Sequence, residues 1–114
     1  MKNLYTEKEI ILCAYIARFG RDDFNESHVV RIKNRSLSSI KMKVQNIAAM
    51  IEEEGYECNE SVSKLKGLPT GQTGRRTNWD IVKKYVDLCR ADHKRECMGL
   101  FLRSKNDWVM NDTF

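Results

Sequence analysis

The stretch Asn34-Arg35-Ser36-Leu37-Ser38-Ser39-Ile40-Lys41-Met42-Lys43-Val44-Gln45-Asn46-Ile47-Ala48-Ala49-Met50-Ile51-Glu52-Glu53-Glu54-Gly55 reads as one amphipathic helix with both ends marked. Ser36 is a good N-cap, because its hydroxyl accepts from an otherwise unpaired backbone N–H of the first turn; Gly55 takes the left-handed conformation that closes a helix. At about 100° per residue, Leu37, Ile40, Val44, Ile47, Ala48 and Ile51 share one side, which must be buried. The other side carries Ser38, Ser39, Met42, Gln45 and Asn46, with Lys41 and Lys43 at its margins. Those are hydroxyl, thioether and amide groups where a purely solvated face would carry more charge.

Working outward, the 114 residues contain 41% hydrophobic and 32% charged side chains, the balance of a globular protein. A single domain over residues 1–114 is expected, divided into a three-helix core (4–55), an irregular basic segment (56–78), C-terminal helices (79–104) and a tail (105–114). No apolar run approaches the roughly 20 residues of a membrane span, and a cytosolic protein with no membrane partner is expected.

The net charge is only +4, but it is unevenly placed. Arg31, Lys33, Arg35, Lys41 and Lys43 lie between Ser27 and Ile51 with no acid among them, and Lys64, Lys66, Arg75 and Arg76 lie between Ser61 and Trp79, again with none. Two acid-free segments form a phosphate-attracting surface on a mildly basic chain.

The first helix opens at the capping box Thr6 to Glu9 and runs to Gly20. It is apolar nearly all round, so it is expected to be the central helix. A short helix follows, capped by Asn25 or Ser27, with Val29, Val30 and Ile32 as its apolar side; His28 at its start is read as an exposed bystander in preference to a capping or phosphate contact. Short helix, brief turn and longer helix form a helix-turn-helix pattern. Gly67 to Asn78 holds three of the six glycines and the only proline, so it is expected to be a functional loop with Arg75 and Arg76 at its end. A fourth helix is expected over Trp79–Arg90 and a fifth over His93–Arg103. The fold class is therefore all-α, a helix-turn-helix-containing bundle of about five helices with a long Gly/Arg loop.

The four cysteines, Cys13, Cys58, Cys89 and Cys97, show no Cys-x-x-Cys and no dense regular spacing. Cys89, His93 and Cys97 at i, i+4 and i+8 would share a metal with Cys58 if one helix carried all three. The spacing is not that of the common structural zinc sites, so core cysteines with an exposed His93, and no metal or cofactor, are expected.

The run Arg35-Ser36-Leu37-Ser38-Ser39-Ile40-Lys41-Met42-Lys43-Val44-Gln45-Asn46-Ile47 resembles the N-terminal helical domain found ahead of the nuclease module in HNH-type restriction endonucleases. In those proteins an Arg-Ser/Thr precedes Ser-Ser-hydrophobic-x-Met-Lys-hydrophobic-x-Asn-hydrophobic. Gly67, Leu68 and Trp79 extend the likeness loosely, and Tyr5-Thr6-x-x-Glu9 with Arg35-Ser36 is similar to Myb/SANT three-helix domains. The nuclease module has no counterpart: the chain has two histidines, His28 and His93, neither in a His-Asn-x-His-like motif. The resemblance thus implies a recognition part alone, without catalytic residues, and a bacterial or phage regulator.

The expected function is duplex DNA binding, with Ser38, Ser39, Met42, Gln45 and Asn46 on base edges. Amide side chains suit adenine, and a methionine suits a thymine methyl. Arg31, Lys33, Arg35, Lys41, Lys43, Arg75 and Arg76 would contact phosphates. Glu52, Glu53 and Glu54 would repel phosphates, so the helix must enter by its other end. The alternative is a protein-interaction module, an inhibitor, adaptor or homodimer, offering Trp108 and Phe114 or the Met42/Met50 side.

Overall fold

The computed structural model describes residues 5–33, 36–62 and 78–113, apart from the side chains of Lys33 and of residues 103–113. Among the described residues there are five helices, α1 (Glu7–Phe19), α2 (Glu26–Lys33), α3 (Leu37–Glu53), α4 (Trp79–Val86) and α5 (Arg90–Thr113). The all-α class follows. The Gly/Arg loop lies outside the described residues.

Helix α1 is the hub. Thr6 Oγ1 accepts from the Glu9 amide, and the Glu9 carboxylate accepts from the Thr6 amide at 2.8 Å, so two orphan donors of the first turn are satisfied reciprocally. Every residue from Glu9 to Ala17 is buried, which a helix achieves only when elements cover it all round. Helices α2, α3, α4 and α5 all touch it. Ile10, Leu12, Ile16, Ile40, Ile47 and Ile51 make the centre of the core.

Gly20 closes α1 at φ +87°, ψ −164°, a region essentially reserved for glycine. A Cβ here would also lie 2.9 Å from the Asn59 side chain, whose own backbone N–H donates to the Ala17 carbonyl at 2.9 Å. Gly55 has a similar φ, +92°, but open space around it. Thermal denaturation should therefore separate two like substitutions: Gly20→Ala should cost about 2 kcal/mol or more, Gly55→Ala about 1 kcal/mol. Equal costs would show that the contact with Asn59 relaxes freely.

Asn25 is the residue that caps α2, its Oδ1 accepting from the Ser27 amide at 2.9 Å. His28 is not the bystander expected: its Nδ1 accepts from the Asn25 amide at 3.1 Å, the role glutamate plays in a capping box. Glu26 is 2% exposed, held by Arg21 through Nε at 2.9 Å and Nη2 at 2.8 Å.

Of the C-terminal helices, α4 begins at Trp79 as expected but ends earlier, and α5 both begins earlier and ends later than expected. Helix α4 stops at Val86, where the Arg18 side chain reaches carbonyls at and just beyond its end. Arg18 Nη1 donates to the Tyr85 carbonyl at 2.5 Å, and Nη2 donates to those of Val86 at 3.0 Å and Leu88 at 2.7 Å. A cation at these carbonyls complements the negative end of the helix dipole, and the Tyr85 carbonyl also accepts from the Leu88 amide at 3.1 Å. Cys89, expected in the helix's apolar face, is exposed in the turn that follows. Helix α5 then begins at Arg90, and its backbone is helical through Thr113, where a tail was expected from residue 105.

His93 is a second correction, since it is fully buried rather than exposed. Its Nε2–H donates to the Ile11 carbonyl at 3.1 Å and its Nδ1 accepts from Arg18 Nη1 at 3.0 Å. A carbonyl only accepts and a guanidinium only donates, so the two partners fix a neutral imidazole and its tautomer. Both ring nitrogens are occupied, which removes His93 from any metal set with Cys89 and Cys97.

Candidate nucleic-acid interface

Helix α3 is set by its cap. Ser36 Oγ accepts from the Ser39 amide at 3.2 Å and lies 2.9 Å from Ser39 Oγ, which starts the helix at Leu37 and fixes the rotation of everything after it. Ile40, Val44, Ile47, Ala48 and Ile51 are all fully buried, as the pattern requires. Leu37 departs from it at 41% exposed. Ala49 and Met50, on the side away from that stripe, are also buried, at 0% and 1%. Helices α1, α2 and α4 all touch α3, so its second half is enclosed more widely than one amphipathic stripe demands. Met50 is therefore not available as a contact surface.

What remains open is the outward face of the first half. Ser38 and Met42 are exposed, Met42 at 54%, while Ser39, Gln45 and Asn46 are half-buried. Ser38, Ser39, Met42 and Asn46 line a single open depression of about 250 Å³ together with Tyr5 and Lys43. Four of the five expected base-reading residues are thus in one place. Gln45 is on the same half of α3 but does not line the depression.

Tyr5 was not among the expected site residues. Its hydroxyl donates to the Ser39 carbonyl at 3.1 Å, and its ring lies 4.9 Å beneath the Lys43 ammonium. The signal in the sequence is its position just before the Thr6 cap, where an apolar residue characteristically folds against a helix. Here the helix it meets is α3.

Of the expected phosphate contacts, Arg31 is exposed on α2, Lys41 is exposed on α3 and Lys43 is half-buried. Lys41 and Lys43 flank Met42 in sequence, about 100° to either side of it around the helix. Lys41 also lies near Glu26. Burial, the largest single influence, works to raise that carboxyl, but the Arg21 hydrogen bonds, a backbone hydrogen bond and the charges of Arg21 and Lys41 together lower its pKa. The Lys33 side chain, Arg35, Arg75 and Arg76 lie outside the described residues. At the far end, Glu52 and Glu53 are exposed.

The groups with the largest pKa shifts sit elsewhere, in the links that hold the bundle together. Burial pushes His93 down to about 4, with Arg18 adding to the effect, and pushes the Cys97 thiol up to about 12. Asp23 is held down at about 2, first by the Tyr15 hydroxyl that donates to it, then by Arg90 at 3.1 Å and Lys94 at 3.2 Å. Each of these groups already has its partners. Among the described residues, no three His, Cys, Asp or Glu side chains form a group able to hold a metal ion, and no helix is long and apolar enough to cross a membrane.

Comparison with protein-family models, with curated proteins and with solved structures returns no match to this chain.

Proposed function

We propose that the protein binds duplex DNA, with the first half of α3 on base edges in the major groove and Arg31, Lys41 and Lys43 on phosphates. The observation that carries this reading is the depression on α3. Short polar side chains and one thioether share it, a lysine lines it, and the surrounding sequence from Ser27 to Ile51 holds no acid. Base edges in the major groove present the donors, acceptors and methyl groups that such side chains complement. The α2–α3 pair, joined by a short connection, supports a helix-turn-helix docking in which the recognition helix enters by its N-terminal half. The acidic run at Glu52 to Glu54 favours the same direction of entry, and Arg35, Arg75 and Arg76 belong to the phosphate-contacting set. The proposed activity is occupancy of a site, as in a regulator or the recognition subunit of a larger system, with no catalytic step and no cofactor.

Binding measured by fluorescence anisotropy on a random-sequence duplex tests it. Affinity should fall steeply with salt. Changing Lys41 and Lys43 together to Glu should weaken it at least tenfold and reduce the slope of log K against log salt by about two, one for each phosphate that the variant no longer neutralises. Absence of binding at low salt would end the proposal. A second reading, a surface for another protein, is favoured by Leu102, which is 59% exposed on α5. Binding to a protein partner that Leu102→Asp abolishes and Lys41→Glu leaves intact would support it.

A further inference from the structure

The depression on α3 is chemically two-sided. Its apolar parts are the Tyr5 ring and the Met42 side chain; its polar parts are the Ser38 and Ser39 hydroxyls, the Asn46 amide and the Lys43 ammonium. Met42 is one of four large apolar side chains well exposed among the described residues. Tyr5 is not loosely placed: its hydroxyl is tied to the Ser39 carbonyl, and one face of its ring is turned to Lys43 at 4.9 Å. The ring is thereby held as a wall of the depression, with the flexible thioether of Met42 beside it. Methionine adapts to small irregular apolar shapes.

We infer that this depression receives the C5-methyl group of a pyrimidine in the major groove, the Tyr5 ring and Met42 closing on the methyl while Asn46 and the two serines meet neighbouring donors and acceptors. The inference rests on the proposed DNA reading and narrows it to a ligand class. A C5-methyl reaches the major groove from two sources, thymine and 5-methylcytosine, and a site that reads the methyl itself gains from both. Lys41 and Lys43, either side of Met42, bring the phosphates that flank such a base towards the helix.

The test uses the full chain and a duplex selected by it from a random pool, in three forms: as selected, with every thymine replaced by uracil, and with every cytosine replaced by 5-methylcytosine. Uracil differs from thymine only by the methyl, so wild-type affinity should fall about fourfold for each methyl read, the effect of returning one buried methyl to water. Met42→Ala, at an exposed position that spares the core, should bind thymine and uracil duplexes equally, and thermal denaturation verifies that it is folded. A tighter complex with the 5-methylcytosine duplex identifies that base as the source at the contacted position; a weaker one together with the uracil loss identifies thymine. Equal wild-type affinity for thymine and uracil duplexes, with no gain from 5-methylcytosine, overturns the inference while leaving DNA binding intact. A thymine preference that survives in Met42→Ala overturns it as well. Failure to bind any duplex overturns the DNA reading itself, which is a different result.

Discussion

Replacing Arg18 with Ala should be among the most damaging single substitutions in the chain, lowering stability by about 3 kcal/mol or more. The guanidinium reaches three carbonyls at the end of α4 and the ring of His93, so four of its five N–H donors are used. Truncation removes this donor from the Val86 and Leu88 carbonyls and from His93 Nδ1 in a partly enclosed site, while the Tyr85 carbonyl keeps the Leu88 amide at 3.1 Å; each buried group left unsatisfied costs on the order of 1–3 kcal/mol. The cation–π interaction of Arg18 with the Phe19 ring, 4.5 Å from its centroid, goes too. Lysine is no substitute, because a compact ammonium on a single stem does not span carbonyls at residues 85, 86 and 88 as a planar fork does. Urea denaturation measures the loss. Hydrogen exchange locates it, since the amides of α4 should open first; a cost below about 1 kcal/mol would mean that water caps α4 as well as Arg18 does.

The second large effect is acid sensitivity, and its sign is fixed by His93. In the unfolded chain this imidazole titrates near 6.5; in the fold, burial beside Arg18 holds it at about 4. Above 6.5 both states are neutral and the fold keeps its full stability. As pH falls from 6.5 towards 4 the unfolded state takes up a proton that the folded state refuses, so stability drops by about 3 kcal/mol across that window. Below about 4 the folded state protonates too, placing an imidazolium against a guanidinium. Asp23 adds a later loss, because its stabilising ionisation is present above 3.8 and disappears as pH falls through about 2. Denaturant midpoints between pH 7 and 4 test this. His93→Gln, whose amide retains one donor and one acceptor, should flatten the slope between 6.5 and 4, and an unchanged slope would assign the acid sensitivity to another group.

These two residues also mark the limit of what the sequence discloses. The capped ends of α1 and α3, and the burial of α1 on every side, depend on neighbours within a few turns, so local pattern reveals them. Arg18 reads locally as an ordinary cation in the last turn of a helix. Its function is set by carbonyls 67 to 70 residues away, at and just beyond a helix end. His93 looks exposed, or metal-bound with Cys89 and Cys97, while spacing alone is considered; its burial and its ring partners Ile11 and Arg18, both on α1, decide otherwise. On α3 the heptad-like stripe gives the buried side of the first half. It misses Ala49 and Met50, because enclosure from further sides leaves no periodic trace at an alanine or a methionine. Tyr5 is missed for the opposite reason: its place at the depression comes from the chain ahead of α1 meeting a helix more than thirty residues later.

The burial of Ala49 and Met50 sets a limit on information. From Ser38 to Asn46 the open face of α3 extends roughly 12 Å at about 1.5 Å per residue, which spans only about four steps of a duplex rising roughly 3.4 Å per base pair. A word of about four letters recurs by chance roughly every 250 base pairs, far too often for one copy to address a single place in a genome where competing sites are counted in the millions. On the proposed reading, selectivity must be assembled from more than one such word, and the domain acts as one syllable of an address completed by a second copy, a partner or the neighbouring DNA.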